Sequence, residues 1–206
     1  MPESNPADSM TLNLARYYPV FFIAILALAS FFYLSLGSIP NAYYGHDAVL
    51  LFDEAWRIHM GQIPHHDFYL NVGSGYSYLA SFFINLCHYD AIAFSWMNVT
   101  FTTILFLLAV VVLGNENHPT YSECFNRRIT VNCLLFIFLL SLGFGCYALG
   151  AAPFVITHGM LYNRYCYMLL AVIFSASFLA RPDTVITTGF INGLCLFALL
   201  AIKIPF

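Results

Sequence analysis

Charge is what this chain has least of. Only 8% of its 206 residues are Asp, Glu, Lys or Arg, and the formal net charge of −3 is the balance of ten acids against seven bases. A chain so poor in basic residues carries no footprint for nucleic acid, and no acidic tail is present either. Metal-finger spacing is missing too. Cys87, Cys133, Cys146, Cys166 and Cys195 fall in apolar runs, Cys124 falls in a polar loop, and no two of them form a CxxC pair. This excludes a zinc ribbon or a dithiol redox centre and leaves the thiols as small core residues. There is no internal repeat and no linker, so the chain reads as a single module. Before the first apolar run stands only Arg16, and that run is long for a signal-peptide core, which predicts an uncleaved anchor. Asn98-Val99-Thr100 matches the glycosylation sequon, but it lies inside an apolar run where no glycan is expected.

What the chain has in abundance is apolar length. With 61% hydrophobic residues, its composition predicts an integral membrane protein. A helix crossing ~30 Å of hydrocarbon needs about 20 mostly apolar residues. Runs 18–38, 91–113, 130–150 and 184–204 meet that length, and a shorter fifth, 164–180, is marked at its ends by Arg164 and by Arg181-Pro182-Asp183. Segment 74–88 is shorter still, contains serines and an Asn, and follows a Gly-rich turn, so it fits either a short span or a helix lying along the interface. Charge arbitrates: with 74–88 lying on the membrane and a cytoplasmic N-terminus, Arg16, Arg127, Arg128 and Arg181 all fall inside, as the positive-inside tendency requires. Residues 39–90 then form a first outer loop and 151–163 a second. The expected fold class is an all-α polytopic membrane protein of about five transmembrane helices, with helices along the membrane in the first outer loop.

That first loop collects the scarce ionisable groups. Asp47, Asp53, Glu54 and Asp67 lie within residues 45–75, as do His46, His59, His65 and His66. Residues 47–60 predict an amphipathic helix with Asp47 as cap and Gly61 as stop. Asp47 and Glu54 share a face about 10 Å apart in rise, Asp53 and Arg57 are an i,i+4 pair, and Leu50, Leu51, Ala55 and Ile58 form the opposing apolar stripe. A cap, a surface ion pair and interfacial histidines account for much of this without any reaction. Adjacent histidines point apart, so His65, His66 and Asp67 make no complete ligand set; no cofactor is assigned, and a divalent metal stays open without support.

The series His46-Asp47, Trp56-Arg57, Gly61-Gln62, Pro64-His65, Asp67-Phe68-Tyr69 and Gly73 resembles the first outer loop of GT-C fold glycosyltransferases. The nearest group is the bacterial dolichyl-phosphate-mannose and aminoarabinose-transferase-like enzymes, which use polyprenyl-phosphate sugar donors. The resemblance implies juxtamembrane helices in this loop, one directly after the Gly/Pro corner, and an active site on the outer face of a bacterial cytoplasmic membrane. By position it makes Asp47 the general base on the acceptor hydroxyl, with Glu54 able to orient base or acceptor. The donor phosphate and substrate would fall to Arg57, His65, Asp67, His158, Tyr162, Asn163 and Arg164. On this topology the outer basic side chains are Arg57, Arg164 and Lys203, near the outer end of the last span.

Two departures stand beside the likeness. Many family members carry a second acid in the second outer loop, often as a metal ligand, whereas 151–163 has none and offers only His158. The family's enzymes also have many more spans, so the likeness implies the N-terminal portion of such an enzyme. A non-catalytic membrane subunit, needing a partner chain for the remaining helices, is the competing expectation. A small transporter fits less well, because the ionisable groups gather at one surface and do not line a path through the spans.

Overall fold

A computed structural model of the chain describes residues 6–35, 45–70, 73–114, 122–144, 161–179 and 185–203. Among the described residues the regular structure is helical: α1 (Pro6–Ser35), α2 (Gly45–His59), α3 (Ser74–Leu86), α4 (Ile92–Gly114), α5 (Ser122–Phe144), α6 (Leu161–Leu179) and α7 (Val185–Lys203). There is no strand among them, only an isolated bridge between Pro64 and Phe68. Each of the five expected spans falls on one of the long helices α1, α4, α5, α6 and α7. Two stretches, Ile92–Val110 and Val185–Lys203, are long and apolar enough to cross a membrane by length and composition. Val20–Ser35 and Cys133–Phe144 are shorter apolar stretches. α6 opens on Tyr162, Asn163, Arg164 and Tyr165, and this polar start keeps it out of the same class.

α4 is the centre of the packing and touches α1, α3, α5, α6 and α7. Of its apolar window 56% is buried, against 22% for α7, which turns most of its surface away from the other helices. Phe136 of α5 lies 4.3 Å from the rings of both Phe22 of α1 and Phe106 of α4. Met97, Leu139, Met168 and Leu169 fill the space around them. Between apolar helices such contacts stabilise through close van der Waals packing.

The short helices α2 and α3 form a pair at one end of the longer ones. Their contacts advance in the same direction along both. Glu54 meets Ser77, the carbonyl of Ala55 accepts from Ser81, and Trp56 and His59 meet Tyr89 just beyond α3. α3 in turn packs on α4 and α7. Gly61, at φ +84°, closes α2 in the left-handed conformation that a side chain disfavours.

Four expectations change here. α2 starts at Gly45 and not at 47, so Asp47 stands inside the first turn and is not the cap. Leu50 is 48% exposed, outside the apolar stripe assigned to it. The face that packs on α3 is Leu51, Glu54, Ala55 and Ile58, the i, i+3, i+4, i+7 set, so Glu54 belongs to the helix contact and not to an opposing polar face. Finally, Tyr162 and Asn163 lie in the first turn of α6, because that helix begins inside the predicted second outer loop.

Candidate functional site

The corner after α2 is held by its own acid. Asp67 Oδ2 accepts the Ile63 backbone N–H at 2.7 Å, and Asp67 Oδ1 lies 2.7 Å from His66 Nδ1. The Ile63 bond first, then His66, holds the Asp67 carboxyl below its ordinary value of 3.8. The His65 N–H donates to the Phe68 carbonyl at 2.8 Å, with His65 itself at φ +62°. Arg57 is used locally as well. Its Nε donates to Asp53 Oδ2 at 2.8 Å and its guanidinium sits 5.6 Å from the Phe68 ring centroid. Arg57 and Asp67 therefore brace the corner, and their shown partners are neighbours in sequence.

Glu54 is different. Its half-buried carboxylate accepts from Ser77 Oγ at 2.6 Å across the α2–α3 contact. Burial raises its pKa above the ordinary 4.5; the Ser77 hydroxyl opposes that shift, Asp53 adds to it, and the imidazole of His65 opposes it. His65 Nε2 is itself buried and without a hydrogen-bond partner. A carboxyl raised in the fold binds its proton more tightly there than in the unfolded chain. Its stabilising contribution is full below 4.5 and is lost as the pH rises through the higher folded value. Glu54→Gln, which keeps the shape without the charge, should flatten thermal stability over that window, whereas wild type loses stability toward neutrality. Parallel unfolding profiles for the two proteins would contradict this.

A second group assembles where the start of α3, the start of α6 and the end of α7 meet. The Gly73 N–H donates to the Ile202 carbonyl at 2.9 Å. Lys203 Nζ donates to Asn163 Oδ1 at 2.9 Å and lies 5.0 Å from the Tyr162 ring centroid. Tyr76, one residue before the partner of Glu54, places its ring 5.8 Å from Tyr162 and 6.1 Å from Tyr165. Arg164, the residue after Asn163, is buried and within electrostatic reach of Tyr165. The Lys203 ammonium, the Asn163 amide and two phenol rings thus stand at the end of α3 that leads to the Glu54–Ser77 bond, with buried Arg164 next in the chain. Such a set suits an anion, with guanidinium and ammonium as charged donors.

Of the residues expected to hold substrate, the structure gathers Tyr162, Asn163 and Arg164, with Glu54 joined to the same end through α3. It leaves Arg57, His65 and Asp67 in the corner. The Asp47 backbone belongs to the first turn of α2, two turns before Glu54, while its side chain lies outside what is described. His158 lies outside the described residues. Lys203, Tyr76 and Ser77 had no role in the expected site. Lys203 carried the one usable signal, a base at the outer end of the last predicted span. Among the described residues no group of three or more His, Cys, Asp and Glu is placed to hold a metal ion. No protein-family model matches the chain, and neither a curated protein nor a solved structure matches it.

Proposed function

We propose that the chain is a polytopic membrane module of a glycosyltransferase that takes sugar from a polyprenyl-phosphate donor at the outer face of the membrane. The observation that carries this reading is the meeting of Lys203, Asn163 and Tyr162 beside the α3 helix that Glu54 grips, with buried Arg164 the next residue of the chain. In this reading α1, α4, α5, α6 and α7 span the bilayer. The thirteen residues of α3 rise only about 20 Å, short of the hydrocarbon thickness, and α3 lies near the surface with α2.

The chemistry follows from the charges. The acceptor hydroxyl gives its proton to the Asp47 carboxylate as its oxygen attacks the anomeric carbon. The bond from that carbon to the phosphate oxygen breaks with inversion, and the polyprenyl phosphate leaves with the electron pair. Lys203 and Arg164 stabilise the charge that develops on the leaving phosphate. Glu54, half-buried and hydrogen-bonded to Ser77, positions the helix that carries the base.

The reading is tested by binding of a polyprenyl-phosphate sugar to the chain in lipid-detergent micelles. Lys203→Gln should weaken binding about tenfold or more, the worth of one charge-assisted hydrogen bond. Donor affinity unchanged in both Lys203→Gln and Asn163→Ala would remove the phosphate site from the reading.

A further inference from the structure

Among the described residues, the buried polar atoms without a hydrogen-bond partner include three that are close together in the helix packing: Asn98 Oδ1, Thr102 Oγ1 and the Tyr165 hydroxyl. All three residues are 0% exposed. Native interiors hold very few such atoms, because an unmade hydrogen bond costs more than a made one returns. The three belong to one junction. Asn98 and Thr102 stand one turn apart on α4, and both meet Gly143 of α5. The Asn98 amide donates to the Gly143 carbonyl, and a Cβ added at Gly143 would come within 2.5 Å of the Thr102 side chain. Phe101, between them in sequence, stacks on the Tyr165 ring of α6 at 4.0 Å and 18°. Tyr33 of α1 lies 5.5 Å from the ring of Phe144, next to Gly143, and within electrostatic reach of Tyr165.

The chemistry of the atoms restricts what can satisfy them. The amide oxygen of Asn98 only accepts, whereas the two hydroxyls accept or donate. An anion would be repelled by that oxygen, and a cation by Arg164, which is also within electrostatic reach of Tyr165. A neutral O–H group fits both conditions. The junction also connects outward, since Tyr165 faces Tyr76, which faces Tyr162 beside Lys203. We propose that Asn98, Thr102 and Tyr165 form a buried hydroxyl-binding site at the meeting of α1, α4, α5 and α6, taking the O–H of a donor sugar or of a bound water. The sugar source rests on the glycosyltransferase reading; the water source does not.

The full chain in lipid-detergent micelles is compared with Thr102→Val and Tyr165→Phe, which remove one hydroxyl each at nearly constant shape. Thermal unfolding is measured without added lipid, and binding is measured for polyprenyl phosphate with and without its sugar. If the sugar fills the site, the variants unfold no lower than wild type without lipid. Each then loses about tenfold of the wild-type preference for the sugar-bearing lipid, one hydrogen bond's worth. If water fills it, the variants unfold at lower temperature without lipid and keep that preference. Variants that unfold at or above the wild-type temperature and keep the preference would leave the site without an occupant and overturn the proposal. Should wild type bind neither lipid, the donor reading fails on its own, while a lowered unfolding temperature in the variants still supports the site, with water in it.

Discussion

Asp47→Asn is expected to abolish sugar transfer in membranes containing the active enzyme, while the chain still inserts and folds. Removing a positioned general base costs about 10²- to 10⁴-fold in rate, because the acceptor hydroxyl must then lose its proton without help in the transition state. The fold loses little by comparison. Asp47 stands in the first turn of α2, where a negative side chain gains only about 0.3–1 kcal/mol from the helix dipole. Asn has nearly the same size there. Donor binding should also stay within about twofold of wild type, since in the proposed mechanism the base acts on the acceptor and other residues hold the phosphate. That split between lost turnover and kept binding is the signature to measure. Wild-type turnover in Asp47→Asn ends the assignment of Asp47 as base, and a joint loss of binding and turnover would make it a binding residue.

The helices were readable because their signals are local. Long apolar runs mark α1, α4, α5, α6 and α7, and the 3.6-residue period with Gly61 marks α2. The orientation of α2 was not readable, for a physical reason. Leu50, Leu51, Ala55 and Ile58 make a plausible stripe on paper, but a helix rotates to suit its partner. Here α3 offers hydroxyls from Ser77 and Ser81 to the side of α2 that carries Glu54. A carboxylate that finds a donor at 2.6 Å can lie in a helix contact where an unpartnered one could not. Ser77 lies 23 positions from Glu54, and Asn163 lies 40 from Lys203, so neither pair leaves a trace in local periodicity. The Asp53–Arg57 pair, by contrast, is an i,i+4 spacing that the sequence shows, and the structure adds the Phe68 ring to it, while the cation beside Asn163 comes from the far end of α7.

Gly73→Ala should unfold at a clearly lower temperature than wild type and lose donor binding together with transfer. The backbone at Gly73 is extended, at φ −64° and ψ 141°, so any residue fits it locally. The obstacle is what surrounds it. A Cβ there would stand 2.7 Å from the Ile202 carbonyl carbon and 2.8 Å from its oxygen, with the Ala201 carbonyl oxygen closer still. These are backbone atoms of the last turn of α7, so no side-chain rotation relieves the overlap, and overpacking of this kind costs about 1–3 kcal/mol or more. The start of α3 must back away from α7, which gives up the Gly73–Ile202 hydrogen bond, worth ~1 kcal/mol. The displacement carries Tyr76 off Tyr162 and Ser77 off Glu54, so the proposed phosphate group and the positioning of α2 fail at once. Asp47→Asn should lose turnover alone, and Gly73→Ala should lose stability, binding and turnover together. A Gly73→Ala protein as stable as wild type, with its donor affinity intact, would mean that α3 and α7 do not meet as described and that the gathering of Lys203, Asn163 and Tyr162 beside α3 cannot be what holds the donor.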